Sequence, residues 1–172
     1  AARELEWFNT FGMDVFKLNP SGTYTIQDRG VGLRFFDDGV TVPEYTDFPV
    51  KKAEDWDRVR KLDFGTSSYG DRLKCQEIVA RELAGEVYLL ETFFSPLTTM
   101  KKLSGERFEQ DLDERSQPFM DALERLTEET IDYIAAVAAQ GVQGMFFATQ
   151  TASRDFMPED SYRKIFFQIG RA

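Results

Sequence analysis

The 172-residue sequence contains no histidine and one cysteine, Cys75. Without histidine, neither a Ser-His-Asp nor a Cys-His arrangement can be assembled, and the commonest transition-metal ligand is missing. One cysteine excludes an internal disulfide, fits a reducing compartment such as the cytosol, and leaves a zinc site within the chain unsupported. A carboxylate site for magnesium or calcium stays open, although no Asp-x-Asp-x-Asp-Gly loop occurs. Long apolar runs are missing as well: a stretch such as Ile134 to Ala139 is far below the ~20 residues of a membrane span, and the opening AARELEWF is charged where an export signal would be apolar. The expectation is an unexported protein with no membrane partner.

Positive charge is also scarce. Thirty acidic against 21 basic residues give a formal charge of −9, which repels nucleic-acid phosphate and anionic lipid. Lys51-Lys52 and Lys101-Lys102 are isolated pairs and read as solvated surface. No Gly-x-Gly-x-x-Gly and no Gly-x-x-x-x-Gly-Lys-Ser/Thr follows any apolar run, so a nucleotide-binding sheet has no support.

The sequence does hold three segments of one design, each a short apolar strand entering a polar turn. They are Met13–Leu18 with Asn19-Pro20-Ser21-Gly22, Val87–Phe94 with Ser95-Pro96-Leu97-Thr98-Thr99, and Gly144–Ala148 with Thr149-Gln150-Thr151-Ala152-Ser153-Arg154. Nearly continuous apolarity predicts parallel strands covered on both faces. Helices are predicted between them. One spans Tyr69–Leu83, with Tyr69, Leu73, Gln76, Val79 and Leu83 on one stripe and Gly85 past its end. Another spans Ser116–Gln140, with Ser116 as cap, Pro118 in the first turn and Gly141 as stop. A last helix runs from Met157-Pro158 toward Gln168, closed by Gly170. Asp37-Asp38-Gly39, flanked by Leu33–Phe36 and Val40–Val42, predicts an antiparallel hairpin inserted at 23–45. A short amphipathic helix at Ala53–Arg60 turns Trp56 and Val59 inward. Alternating strands and helices of this size predict an α/β fold forming one domain over 1–172. The favoured form is a partial (β/α)8 TIM barrel of about three to four βα units, with the hairpin after the first strand.

In barrels the reacting groups project from the carboxyl ends of strands, and all three strands end in small polar residues. Asn19, Ser21, Tyr24, Ser95, Thr98, Gln150 and Arg154 are therefore candidate substrate-binding residues. Turn formation and helix capping are the competing account of each. No catalytic residue is assigned. Lys17, Lys101, Lys102 and Arg154 are the candidate cations. Lys17 has Glu91 as an alternative partner, and Arg154 has Asp155 or Asp160. Glu91, an acid on a core strand, reads as half of a structural pair or as an acid/base group with a raised pKa.

The stretches Lys17-Leu18-Asn19-Pro20-Ser21-Gly22-Thr23-Tyr24, Phe94-Ser95-Pro96-Leu97-Thr98-Thr99 and Gly144-Met145-Phe146-Phe147-Ala148-Thr149-Gln150, with the Phe35–Val40 hairpin between the first two, resemble the uroporphyrinogen decarboxylase family. The likeness is to its decarboxylase-like branches and covers about the middle half of the family barrel, over about residues 5 to 165. Ser-Pro-Leu-Thr is similar to the family's Ala-Pro-Trp/Phe-Thr. The resemblance implies a cofactor-free barrel, often a homodimer, that removes carboxyl groups from the acetate side chains of a tetrapyrrole. Wider relatives instead transfer methyl groups from corrinoids through zinc, with ligands that would lie beyond Ala172.

Two departures matter. Asn19-Pro20-Ser21 stands where the resemblance has Phe-Ser-Asp, so the aspartate is missing, and Lys102 stands where it has a tyrosine. The Arg-rich substrate loop would precede Ala1. The resemblance thus implies a lyase that is incomplete or inactive as this chain alone. Alternatives are a corrinoid-linked methyltransferase-type relative and a non-catalytic module that pairs with a second copy. The apolar ending around Phe166, Phe167 and Ile169 predicts an interface or a truncation.

Overall fold

The computed structural model describes residues 1–154 and 156–169. The expected bridge from Arg154 to Asp155, the stop at Gly170 and the side chains of Phe166, Phe167 and Ile169 lie outside what it describes. The chain opens with helix α1 (Ala2–Phe11), closed by Gly12 in the left-handed region at φ 57°. Strand β1 (Val15–Leu18) follows, then a 3-10 turn at Gln27–Arg29 and the short strands β2 (Gly32–Arg34) and β3 (Glu44–Asp47). After a second 3-10 segment, Ala53–Arg58, come helix α2 (Ser68–Glu82), strand β4 (Tyr88–Phe94), and helices α3 (Pro96–Ser104), α4 (Arg107–Glu114) and α5 (Gln117–Ala139). Strand β5 (Gly144–Ala148) and helix α6 (Glu159–Ile169) complete the order.

The main sheet is parallel, in the order β1-β4-β5, with Leu18 opposite Glu91 and Thr92 opposite Phe146. Side chains alternate across a strand. That alternation places Phe16, Leu18, Leu89, Glu91 and Phe93 on the face that α2 and α5 cover, where all five are buried. The opposite face carries Val15, Lys17, Tyr88, Leu90, Thr92, Phe94 and Phe146. It is open: Tyr88 is 68% exposed and Phe146 49%. Both-sided coverage, expected from the continuous apolar runs, is therefore corrected to coverage on one side. On β5 even the helix side is open at Met145 and Phe147.

A second core lies away from the sheet. Trp56, Leu97, Met100, Phe108 and Phe119 pack there between α3, α4, α5 and the Ala53–Arg58 segment. Trp56 meets Phe119 edge to face at 5.5 Å, and its indole N–H donates to Asp111 at 2.9 Å.

The strand-to-helix pattern follows the predicted one closely at β4, β5, α2 and α5, but three expectations need correction. In the hairpin, β2 pairs antiparallel with Glu44–Asp47, while Val40 and Val42 lie exposed in a loop. The reason is local: the Asp38 carboxylate accepts the N–H groups of Val40 and Thr41 at 3.0 and 2.8 Å, taking donors that a ladder would need. Second, Ser95 to Thr99 is the start of α3. Ser95 accepts the Thr98 N–H at 3.2 Å and Pro96 occupies the first turn, a favoured pairing of cap and proline. Third, Ser116 holds the N-cap position of α5 but makes no side-chain cap bond.

Candidate functional site

The carboxyl ends of β1, β4 and β5 meet along one rim, and hydrogen bonds tie the three connecting segments to each other. The Ser95 N–H donates to the Ala148 carbonyl at 3.0 Å. The Gln150 N–H donates to Thr98 Oγ1, also at 3.0 Å, and Thr98 Oγ1 shares a 2.9 Å hydrogen bond with Ser95 Oγ. Ser95 and Thr98 are fully buried, so these atoms are spent on the frame, while the Gln150 side chain is exposed. Beside them the Thr149 and Thr151 hydroxyls are buried without a partner among the described residues.

The loop after β1 supplies the other wall. Asn19 and Ser21 are exposed, Ser21 Oγ lies 2.8 Å from Thr23 Oγ1, and the Asn19 carboxamide oxygen accepts from Lys17 Nζ. Tyr24 is in the core: its ring stacks among Tyr69, Phe94 and Tyr133, and its hydroxyl donates to the Thr92 carbonyl at 3.3 Å. Ser21 and Tyr24 also border a depression of about 230 Å³ that reaches Arg72 and Cys75.

Two ammonium groups stand on the open face. Lys17 Nζ sits 4.7 Å from the centroid of the Phe146 ring. Lys102, from the last turn of α3, crosses to the β1 loop, where Nζ donates to the Gly22 carbonyl at 2.6 Å and lies 3.8 Å over the Phe94 ring. Neither has a carboxylate partner among the described residues. Burial pushes the Lys102 ammonium down from 10.5 to about 8. The other two candidate cations are elsewhere: Lys101 covers Phe156, and Arg154, whose side chain is 89% exposed, pairs with Glu159 at 3.4 Å, not with Asp160.

Lys17 and Glu91 do not pair. Glu91 faces the helix layer, where Arg72 Nε and Nη2 donate to its two oxygens at 3.2 and 2.8 Å. Burial pushes the Glu91 carboxyl up, and the hydrogen bonds and charge of Arg72 oppose that push. Arg72 was legible in principle, because it lies three residues after Tyr69 and four before Gln76, on the predicted inward stripe of α2. A second buried carboxylate, Glu129 of α5, accepts the Tyr69 hydroxyl at 3.0 Å and pairs with Arg29. Both carboxylates are occupied by structural partners.

Among the described residues, no three His, Cys, Asp or Glu side chains converge as a metal-binding group, and no helix is long and apolar enough to cross a membrane. The arrangement at the rim is one of two amines, two aromatic rings and several neutral hydrogen-bonding groups. It suits an anion with an apolar body.

The family model described as uroporphyrinogen decarboxylase (URO-D) matches residues 1–171. A solved structure of a methyltransferase from Methanosarcina mazei superimposes with a TM-score of 0.78 at 19% identity, covering 96% of this chain and 49% of that one. The chain thus spans about half the length of that relative. No curated protein matches the sequence.

Proposed function

Because the chain belongs to the uroporphyrinogen decarboxylase family, we propose that it carries part of the strand-end binding face of a decarboxylase-like enzyme, a carboxy-lyase acting on a tetrapyrrole or related polycarboxylate. The observation that carries this reading is the pair Lys17 and Lys102, two amines on one open sheet face without carboxylate partners among the described residues. A substrate carboxylate leaving water needs such a charge-assisted donor, since burying it unpaired is prohibitive.

In this reading Asn19, Ser21 and the Gln150 side chain contact the substrate, and Arg154 offers a further cation at the periphery once its weak tie to Glu159 opens. Ser95, Thr98 and Tyr24 hold the walls. The three strands belong to a barrel wall whose completion covers the open face, and the enzyme is a cytosolic homo-oligomer.

Fluorescence titration with uroporphyrin, the stable oxidised polycarboxylate, tests the reading. Lys17→Gln and Lys102→Gln are each expected to weaken binding by about tenfold, the equivalent of ~1.4 kcal/mol, and more at low salt. Binding that is unchanged in both variants would sink the proposal.

A second reading has two observations in its favour. No carboxylate stands at Asn19-Pro20-Ser21, and the fold is shared with a methyltransferase, so methyl transfer is the alternative reaction. The described residues do not fit the zinc that this chemistry implies, since no histidine exists and Cys75 on α2 has no converging set of further ligands among them. No step is derived through it. Zinc bound stoichiometrically by the gene product, with loss of methyl transfer on chelation, would replace the decarboxylase reading.

A further inference from the structure

Apart from the rim, the segment that joins β3 to α2 borders a cavity of about 340 Å³, with the Gln27–Arg29 turn on its other side. Three arginines line it, Arg29, Arg58 and Arg60, in a chain whose formal charge is −9. Asp28 and Asp55 line it as well, beside the buried side chains of Val50 and Val59. None of the rim residues takes part.

Hydrogen bonds around the cavity decide which of these charges remain for a ligand. Both aspartates accept backbone donors: Asp28 takes the Ser68 N–H at 2.7 Å, and Asp55 takes the N–H groups of Lys51 and Lys52 at 3.0 and 3.1 Å. Arg29 is buried and committed to the Thr25 and Arg60 carbonyls and to the Glu129 carboxylate. Arg58 is different. Its side chain is 80% exposed and touches Asp55 at 3.3 Å through one nitrogen, a contact that water screens. Arg60 makes no side-chain hydrogen bond or ion pair among the described residues.

The backbone that carries these two arginines is fixed from outside. Arg125 of α5 donates to the Trp56 and Val59 carbonyls at 3.0 and 2.9 Å, Arg29 donates to that of Arg60, and Glu129 accepts the Leu62 N–H. Three carbonyl oxygens that would repel an anion are thereby turned toward cations. Arg58 and Arg60 are mounted on a held segment, with their own guanidinium groups left over.

The geometry points to this cavity as a second binding site, which takes a phosphate group, either free phosphate or the head of a small phosphate monoester, on Arg58 and Arg60. Guanidinium forks match phosphate oxygens, and a group with nearly two negative charges and three terminal oxygens can engage two forks where a carboxylate fills one. The volume lies at the small end of the ~300–1,000 Å³ range of small-molecule sites. Val50 and Val59 offer apolar surface for a short carbon body. The site stands independently of the decarboxylase reading.

Isothermal titration calorimetry at low ionic strength tests it, with inorganic phosphate, glycerol phosphate and acetate as the three probes. One saturable phosphate site is expected, with acetate weaker by about tenfold, and with Arg58→Ala and Arg60→Ala each weakening phosphate by about tenfold. Neither side chain belongs to the frame, so both variants should keep the wild-type thermal midpoint measured without phosphate. Arg34→Ala, which removes an exposed arginine of β2 already paired with Glu44, should bind phosphate as the wild type does. Tighter binding of glycerol phosphate than of inorganic phosphate assigns the site to a monoester, and the reverse order assigns it to the free ion.

No saturable binding up to about 10 mM, or binding that Arg58→Ala and Arg60→Ala leave unchanged, overturns the site. Acetate binding as tightly as phosphate overturns the phosphate assignment. Phosphate binding lost in Lys102→Gln but kept in Arg60→Ala would move the anion to the rim and overturn the cavity. Uroporphyrin binding is measured separately, so either site can fail while the other stands.

Discussion

Arg72 on α2 grips both oxygens of Glu91 on β4, at 3.2 and 2.8 Å, with the carboxylate side chain fully buried and the guanidinium 10% exposed. An ion pair this far from water owes its persistence to its geometry, because each ion alone carries a desolvation cost of several kcal/mol. Arg72→Ala or Glu91→Ala is therefore expected to destabilise the chain by about 3–5 kcal/mol, read from urea denaturation midpoints. The double substitution Arg72→Met with Glu91→Leu, which removes both charges and keeps volume, should recover most of that loss.

The rim frame gives a smaller number. Ser95 caps α3 and shares a hydrogen bond with Thr98 inside the core. Ser95→Ala removes both, and a loss of about 1–2 kcal/mol in the same assay is expected. An unchanged midpoint would mean that water replaces the serine.

Alkaline titration should show two opposed effects. Burial raises the phenols of Tyr24, Tyr69 and Tyr133 above their ordinary 10.0. The unfolded chain then loses those protons first, so their contribution to stability is intact below pH 10 and falls as pH climbs past it. Lys102 acts the other way. Its folded value of about 8 lies below 10.5, so the unfolded chain binds more protons between those values and stability gains from this group across that window. Thermal midpoints should thus fall above pH 10 in the wild type. The Lys102→Met variant should show a shallower gain, or none, between pH 8 and 10.

Gly70 offers a steric test. A Cβ built there would lie 2.2 Å from the Phe64 carbonyl oxygen, a backbone atom that cannot swing aside. Gly70→Ala should cost about 1–3 kcal/mol despite its better helix propensity, whereas Gly22→Ala, which meets nothing within 4 Å, should leave the midpoint close to the wild type.

Much of the fold was legible because glycines and apolar runs punctuate the chain. β5 falls on Gly144–Ala148 as expected, and α5 falls within a residue of the predicted span at each end. Helix α1 carries little signal in the sequence because its apolar residues, Leu5, Trp7, Phe8 and Phe11, are interrupted by Glu6, Asn9 and Thr10, and none is buried. The start of α3 reads as a turn in the sequence, although a serine followed by proline is also a helix-start signal. At the site, the gathering of the three strand ends was readable, but the partners of the charged residues were not. The pairing of Glu91 with Lys17 failed on register: Leu18 lies opposite Glu91, so a two-residue alternation sends Lys17 to the other face. Nothing in the local sequence states that register.

The bond from the Gln150 N–H to Thr98 Oγ1 has a consequence for how such a rim can change. Its shape is carried by backbone groups and by two buried hydroxyls, whereas Asn19, Ser21 and the Gln150 carboxamide contribute no bond to that frame. Substitution at those three positions should leave the cradle standing while altering what it accepts. Under the proposed reading one scaffold can then diverge toward different substrates, with selectivity lodged in residues that stability does not police.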